Sequence, residues 1–315
     1  MELTVKDKKI LYELEKNARN SNSEIAKVVG LSKDAVGYRI KQLEKRGIIR
    51  GYRALIDATK LGYNLFRIYL QLIDISEKEL QEMIEYLQQD KNSWWIGKLD
   101  GSWDFAFAYW AKDNLKVQDF LFEFSKRFSR HIKNKLICPI LNYNEFPRKY
   151  LTESKIITKG KEKINEKSID ELDKKILKEL SKNARKTIIE LAGKFKVDSK
   201  TIINRIRKLE EQKIILGYKE DIDVSKLGRD FYTVEINLND FTNFEQIRKE
   251  IHSLKELSAE SISIGGYDIE FDLEISSTQE YYKIIDRLKN KFPEIREIRY
   301  FRVIENYKIV YMPEE

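Results

Sequence analysis

Cysteine is nearly absent. A single residue, Cys138, among 315 leaves no way to build an intrachain disulfide framework or a cysteine-ligated zinc site, and suits a reducing interior. Histidine is almost as scarce: only His131 and His252 occur, neither in a recognisable motif. A lone histidine near a helix end is more often a packing or surface residue than a catalyst. The sequence also lacks a phosphate loop, a Ser/His/Asp constellation and a metal-ligand cluster, so no catalytic residue, metal or other cofactor is expected. Apolar runs such as "FAFAYWA" are far too short to span a bilayer, and the opening "MELTVKDKKILYELEK" has no signal-peptide core. The expectation is a cytoplasmic protein with no membrane partner.

What is present suffices for folded cores. Hydrophobic residues make up 42% of the chain and aromatics 11%, while the 35% that is charged belongs mostly on a solvated surface. Lys and Arg (59) outnumber Asp and Glu (52), a balance that permits polyanion binding without establishing it. The length is about twice that of a usual domain.

The chain repeats itself. "DKKIL" at Asp7 recurs at Asp173, 166 positions on, and at that shift "NAR", "RI", "LE", "II" and "GY" also coincide, ending with "KLG" at Lys60 and Lys226. Later the offset slips by two, so that "GSWD" at Gly101 meets "GGYD" at Gly265. This is a tandem duplication of a whole folding unit. The lysine-rich stretch 152–168 between the copies has few large apolar residues and reads as a linker.

Within each copy the periodicity changes once. Ile10, Leu11 and Leu14 recur at helical spacing; Ser21 with Glu24, and Thr187 with Glu190, have capping-box spacing for a second helix; Val36, Ile40 and Leu43 form the stripe of a third, after Ser32. Alternating segments then predict strand, helix, strand, strand, helix, strand, the split order of a ferredoxin-like sheet. The expected class is α+β. Its boundaries are 1–62 and 169–228 for the helical domains, and 63–151 and 229–315 for the sheets.

Two helices joined by a short turn, the second carrying cations away from its core stripe, is the helix-turn-helix layout for a major groove. The first set of candidate DNA-binding residues is Ser32, Lys33, Asp34, Gly37, Tyr38, Arg39 and Lys41. Gly37 is expected to admit a close approach to base edges, and Arg39 to reach a phosphate. The second set is Ser199, Lys200, Thr201, Ile203, Asn204, Arg205, Arg207 and Lys208. Ile203 stands where Gly37 was and Asn204 where Tyr38 was, which predicts related but unequal half-sites. Gly30 and Gly47 become Lys196 and Lys213, so the second copy is expected to turn differently or to bind more weakly. A charged outer helix face is also, commonly, only a solvated face.

The ordered phrases "DKKIL", "NAR", "EIAKVVGLS", "RIKQLEKRGIIRGYRALIDATKLG" and "GSWD" resemble the Lrp/AsnC (feast/famine) regulators of bacteria and archaea, twice over. The resemblance implies a winged helix-turn-helix domain that binds double-stranded DNA, followed by a ferredoxin-like assembly and effector domain (RAM) whose sheets pair in dimers. One chain with two copies then implies an intrachain pseudo-dimer, with further self-assembly open. It also implies a small-molecule effector such as an amino acid near Gly101, Trp103 and Asp104, and near Gly265, Tyr267 and Asp268. A Gly-x-aromatic-Asp turn equally serves plain folding, and Trp94, Trp95, Trp103 and Trp110 suit a core or a sheet interface.

Two other functions share the fold. Relatives of this family act as siroheme decarboxylases, chemistry that by resemblance leans on histidine and arginine in the effector domain. A protein that kept the architecture but lost DNA reading is the other, favoured by Asp34, Glu44, Glu210 and Glu211 beside the basic faces.

Overall fold

The computed structural model describes residues 3–151 and 169–313; the expected linker, 152–168, lies outside them. In the first copy α1 (Val5–Lys16), α2 (Asn22–Val29) and α3 (Lys33–Lys45) lead into β1 (Ile49–Ile56). A sheet motif follows: β2 (Asn64–Leu72), α4 (Glu77–Gln89), β3 (Ser93–Gly101), β4 (Phe105–Ala111), α5 (Asn114–Phe128) and β5 (Ile132–Glu145). The second copy repeats the order with α6 (Glu171–Lys182), α7 (Ile188–Phe195), α8 (Ser199–Glu211) and β6 (Ile215–Ile222). Its sheet motif is β7 (Asp230–Leu238), α9 (Phe244–Ser253), β8 (Leu257–Ser263), β9 (Ile269–Ile275), α10 (Thr278–Lys291) and β10 (Ile295–Ile309).

The helix starts follow from their caps. Ser21 accepts from the Glu24 amide (3.2 Å) while Glu24 accepts from the Ser21 amide (2.7 Å), and Thr187 with Glu190 does the same at 3.2 and 2.6 Å, so each pair satisfies two otherwise orphaned donors. The turns differ from expectation. Lys196 and Lys213 take φ of 56° and 55°, the left-handed conformation that Gly30 and Gly47 take at 66° and 68°, so the second copy turns as the first does, with a side chain where backbone strain favours none.

Packing collects the described chain into two compact units. One unit holds both helical trios together with β1, β6 and residues 146–151. Its two halves meet reciprocally. β1 runs antiparallel to β6. The Ala18 amide donates to the Tyr218 carbonyl (3.0 Å) and the Ala184 amide to the Tyr52 carbonyl (2.9 Å); Arg19 lies over the Tyr218 ring and Arg185 over Tyr52. Every one of these contacts is matched by its partner 166 positions away, which is the pattern of a local two-fold axis. Arg148 breaks the symmetry, bonding Glu15 at 3.0 Å and Glu220 at 3.2 Å in a buried cluster that also contains Lys219.

The other unit holds the eight remaining strands, closed into one barrel in the order β10-β3-β4-β2-β5-β8-β9-β7. Each copy contributes a ferredoxin-like sheet, and the sheets join edge to edge, β3 to β10 and β5 to β8. On the first sheet Phe66, Ile68, Leu70, Phe105 and Phe107 pack under Met83 and Leu87 of α4 and Phe120 and Phe124 of α5. Burying each such side chain contributes roughly 1.5–3 kcal/mol. The alternate residues of the same strands, Tyr69 and Ala106, cluster with Leu99, Trp103 and Phe301 on the opposite face, the barrel interior.

Candidate nucleic-acid interface

The third helix of each copy is positioned by its buried stripe. Val36, Ile40 and Leu43 of α3 are at most 4% exposed, and Ile202, Ile206 and Leu209 of α8 at most 7%, which fixes the rotation of both helices. Lys33, Asp34 and Lys41 consequently face outward, and Tyr38 is 65% exposed. On α8 the outward residues are Ser199, Lys200, Asn204, Arg207 and Lys208, with Ile203 42% exposed. These side chains meet the first requirement of a groove-reading surface, which is access.

Several of the candidate residues have partners inside the helical trios. Arg39 donates to Asp7 (2.9 Å) and to Thr4 (3.2 Å) at the start of α1, and Arg205 donates likewise to Asp173 (3.2 Å) and to Asp170 at the start of α6. Both guanidiniums therefore staple the third helix of a copy to its first. Burial raises the Asp7 carboxyl, but Thr4 and Arg39 outweigh it and hold the group below its usual range. The space beside Gly37 belongs to Asn22, whose amide nitrogen lies 2.9 Å from where a Cβ would sit, so this glycine serves the packing of α3 on the start of α2. Ser32 caps α3 through the Ala35 amide (3.1 Å), whereas α8 is capped by Asp198, which accepts from the Thr201 amide and hydroxyl, both at 2.7 Å. Ser199 is then the first helical residue and Thr201 is engaged in the cap. Of the set read as outward from spacing, Lys33, Asp34, Tyr38, Lys41, Lys200, Ile203, Asn204, Arg207 and Lys208 are exposed, while Gly37 and Thr201 are half-buried. The arginine pairing is signalled only by the recurrence of acid and arginine, 7 with 39 and 173 with 205, at one spacing in both copies.

The candidate effector loops lie in the barrel unit. Asp104 accepts from the Leu72 amide and Asp268 from the Leu238 amide, both at 2.7 Å, so each aspartate ties the loop to the end of its first strand. A Cβ on Gly101 would come within 2.5 Å of the Tyr300 carbonyl, whereas one on Gly265, at φ 75°, would meet nothing within 4 Å. Trp103 is buried, stacks on Tyr69 and donates to Glu235 at 2.8 Å; Tyr267 is also buried. Burial pushes the Glu235 carboxyl upward, and the Ser102 and Trp103 donors oppose the shift. Trp110 stacks on Trp94, and Trp95 donates to Asn306 across the β3–β10 seam at 2.7 Å.

Both histidines have local partners: His131 Nδ1 lies 3.0 Å from the Asp74 carbonyl oxygen, and His252 Nε2 lies 3.0 Å from Glu260. Among the described residues no group of three or more His, Cys, Asp or Glu could hold a metal ion, and no helix is long and apolar enough to cross a membrane.

Comparison with known proteins places these features. A winged helix-turn-helix DNA-binding family model matches residues 3–50, and an AsnC-type helix-turn-helix domain model matches residues 169–210. The HTH-type transcriptional regulator LrpA of Pyrococcus abyssi is 36% identical over 136 residues, covering 43% of this chain and 93% of that protein. The leucine-responsive regulatory protein of Rhizobium meliloti is 33% identical over 127 residues, 39% of this chain and 80% of that protein. Along nearly the whole chain, the fold is similar to the crystal structure of the siroheme decarboxylase NirDL. The TM-score is 0.67 with 13% identity, over 98% of this chain and 94% of that one. At that identity the likeness is one of fold alone.

Proposed function

The chain belongs to the Lrp/AsnC family of transcriptional regulators, and from that membership we infer that it is a DNA-binding regulator presenting two recognition helices from one polypeptide. The observation that carries this reading is the exposure of Lys33, Tyr38 and Lys41 on one helix and of Lys200, Asn204 and Arg207 on the other, in trios joined through matching contacts. Lysine and arginine anchor phosphates, while Tyr38 and Asn204 stand where base edges would be read. We assign the helical domains to 1–62 and 169–228, the RAM domains to 63–151 and 229–315 with residues 146–151 packed in the helical unit, and the whole to an intrachain pseudo-dimer. A small-molecule effector such as an amino acid is best sought at the second loop, where Gly265 has open space beside it.

The test is binding of the full chain to genomic fragments as salt is raised. Neutralised phosphates release counterions, so affinity should fall steeply, with a log–log slope of about −0.9 per phosphate contact. Replacing Lys33, Lys41, Lys200 and Arg207 with alanine should flatten that slope and weaken binding on the order of 100-fold in a folded protein. Unchanged affinity in that variant contradicts the mechanism. The full-length likeness to NirDL gives the enzymatic alternative its one specific support. Adding siroheme to the purified chain decides it: a bound chromophore that is decarboxylated replaces the regulatory reading.

A further inference from the structure

The interior of the barrel carries a charge pattern that the two copies do not share. On the first sheet the inward positions of β2 and β4 are Arg67, Tyr69, Ala106 and Ala108; on the second, the repeat puts Thr233, Glu235, Glu270 and Asp272 in their places. All four charged residues are buried. Arg67 is ion-paired to Glu270 across the two halves, Tyr69 donates to the same carboxylate at 2.6 Å, and Ser261 donates to it at 2.7 Å. A second contact of the same sense lies nearby: Glu235 accepts from Ser102 and from Trp103 of the first copy, both at 2.8 Å. Within its own sheet Glu235 also faces Arg299. Asp272 accepts from Thr233 at 2.7 Å.

We propose that this buried pattern makes the two sheets an obligate unlike pair, so that the first half takes as partner only a sheet face bearing carboxylates at the Glu270 and Asp272 positions, never a second copy of itself. The physical argument is substitution by symmetry. Two first-half sheets brought together would face two Arg67 guanidiniums without the Glu270 and Asp272 carboxylates that now oppose them. Two second-half sheets would bury two copies each of Glu270 and Asp272 without the Arg67 that now opposes them. A buried charge deprived of its partner costs far more than the pair contributes when intact. Duplication of the chain is what permits such a pattern, because a dimer of identical sheets must carry the same residues on both sides. The proposal is separate from DNA reading and is tested without DNA.

Three full-length variants test it: Arg67→Glu, Glu270→Arg, and the two together. Each single reversal should lower the melting temperature of the barrel unit by roughly 10 °C or leave it unfolded. The double variant should recover more than half of that loss, because the Tyr69 and Ser261 hydroxyls donate or accept as needed. Refolding the two single variants together at equal amounts should give a two-chain particle by native mass spectrometry, since the first half of each chain then finds its complement on the other. Single variants that melt with the wild type overturn the proposal. So does a double variant no more stable than the worse single together with a mixture that yields no two-chain particle.

Discussion

Substituting Lys196 by glycine should stabilise the helical unit, although it deletes a side chain and adds no contact. Lys196 ends α7 at φ 56°, ψ 46°, where its amide still donates to the Ala192 carbonyl. An L-residue held there costs roughly 1–2 kcal/mol, because its Cβ crowds the following carbonyl. Glycine removes that crowding but loses more chain entropy on folding, about 0.5–1 kcal/mol. The difference leaves a net gain of about 0.5–1 kcal/mol, or roughly 2–4 °C in melting temperature for a unit of this size. The first copy supplies the converse experiment at Gly47. Its φ is 68° and a Cβ there meets nothing within 4 Å, so Gly47→Ala isolates the torsional cost and should destabilise by about 1 kcal/mol. Calorimetry of both variants, with amide exchange of Lys196 and Val197 as the local readout, checks the pair. If Lys196→Gly is neutral or harmful while Gly47→Ala is neutral, the left-handed backbone is not where the strain resides and the argument fails.

Two other expectations follow from charges in the helical unit. Burial, with Glu15 beside it, pushes the Glu220 carboxyl up to about 8 from 4.5, against the pull of Arg148 and Lys219. The folded chain therefore binds the extra proton between those values. That contribution to stability is whole below about pH 4.5 and is lost as pH rises through 8; Glu220→Gln should flatten this slope in denaturant titrations from pH 5 to 8.5. Arg39→Ala should cost about 1 kcal/mol of stability, since its partner Asp7 is buried while Arg39 itself is partly exposed. It should change DNA affinity far less than Lys33→Ala does, as measured by anisotropy on one labelled duplex.

Much of this architecture is written in local pattern. Capping at Ser21 and Thr187, the stripe Val36–Ile40–Leu43 and the order of strands and helices depend on neighbours a few residues apart, so spacing alone places them. The outward set on each recognition helix follows from the same stripe. The barrel interior was hidden for the opposite reason. In "IEFDLEI" the alternation of Glu270, Asp272 and Glu274 with apolar residues reads as one dry face and one wet face. The supposedly wet face turns inward, and the cation that makes this tolerable for Glu270 is Arg67, 203 residues earlier in the chain. The ion pair of Arg39 was hidden by the same blindness to distance: nothing near it in sequence says that Asp7 awaits its guanidinium.

The circular order of the eight strands bears on how copies of this chain can gather. A four-stranded sheet ends in two margins with unsatisfied amides and carbonyls, the usual invitation to a stray β-segment. Here the margins of one sheet are used up by those of the other. Larger assemblies built on the barrel must therefore associate through its side chains, on helices or loops, which leaves the two-stranded β1–β6 ribbon as the sheet that still has outer edges.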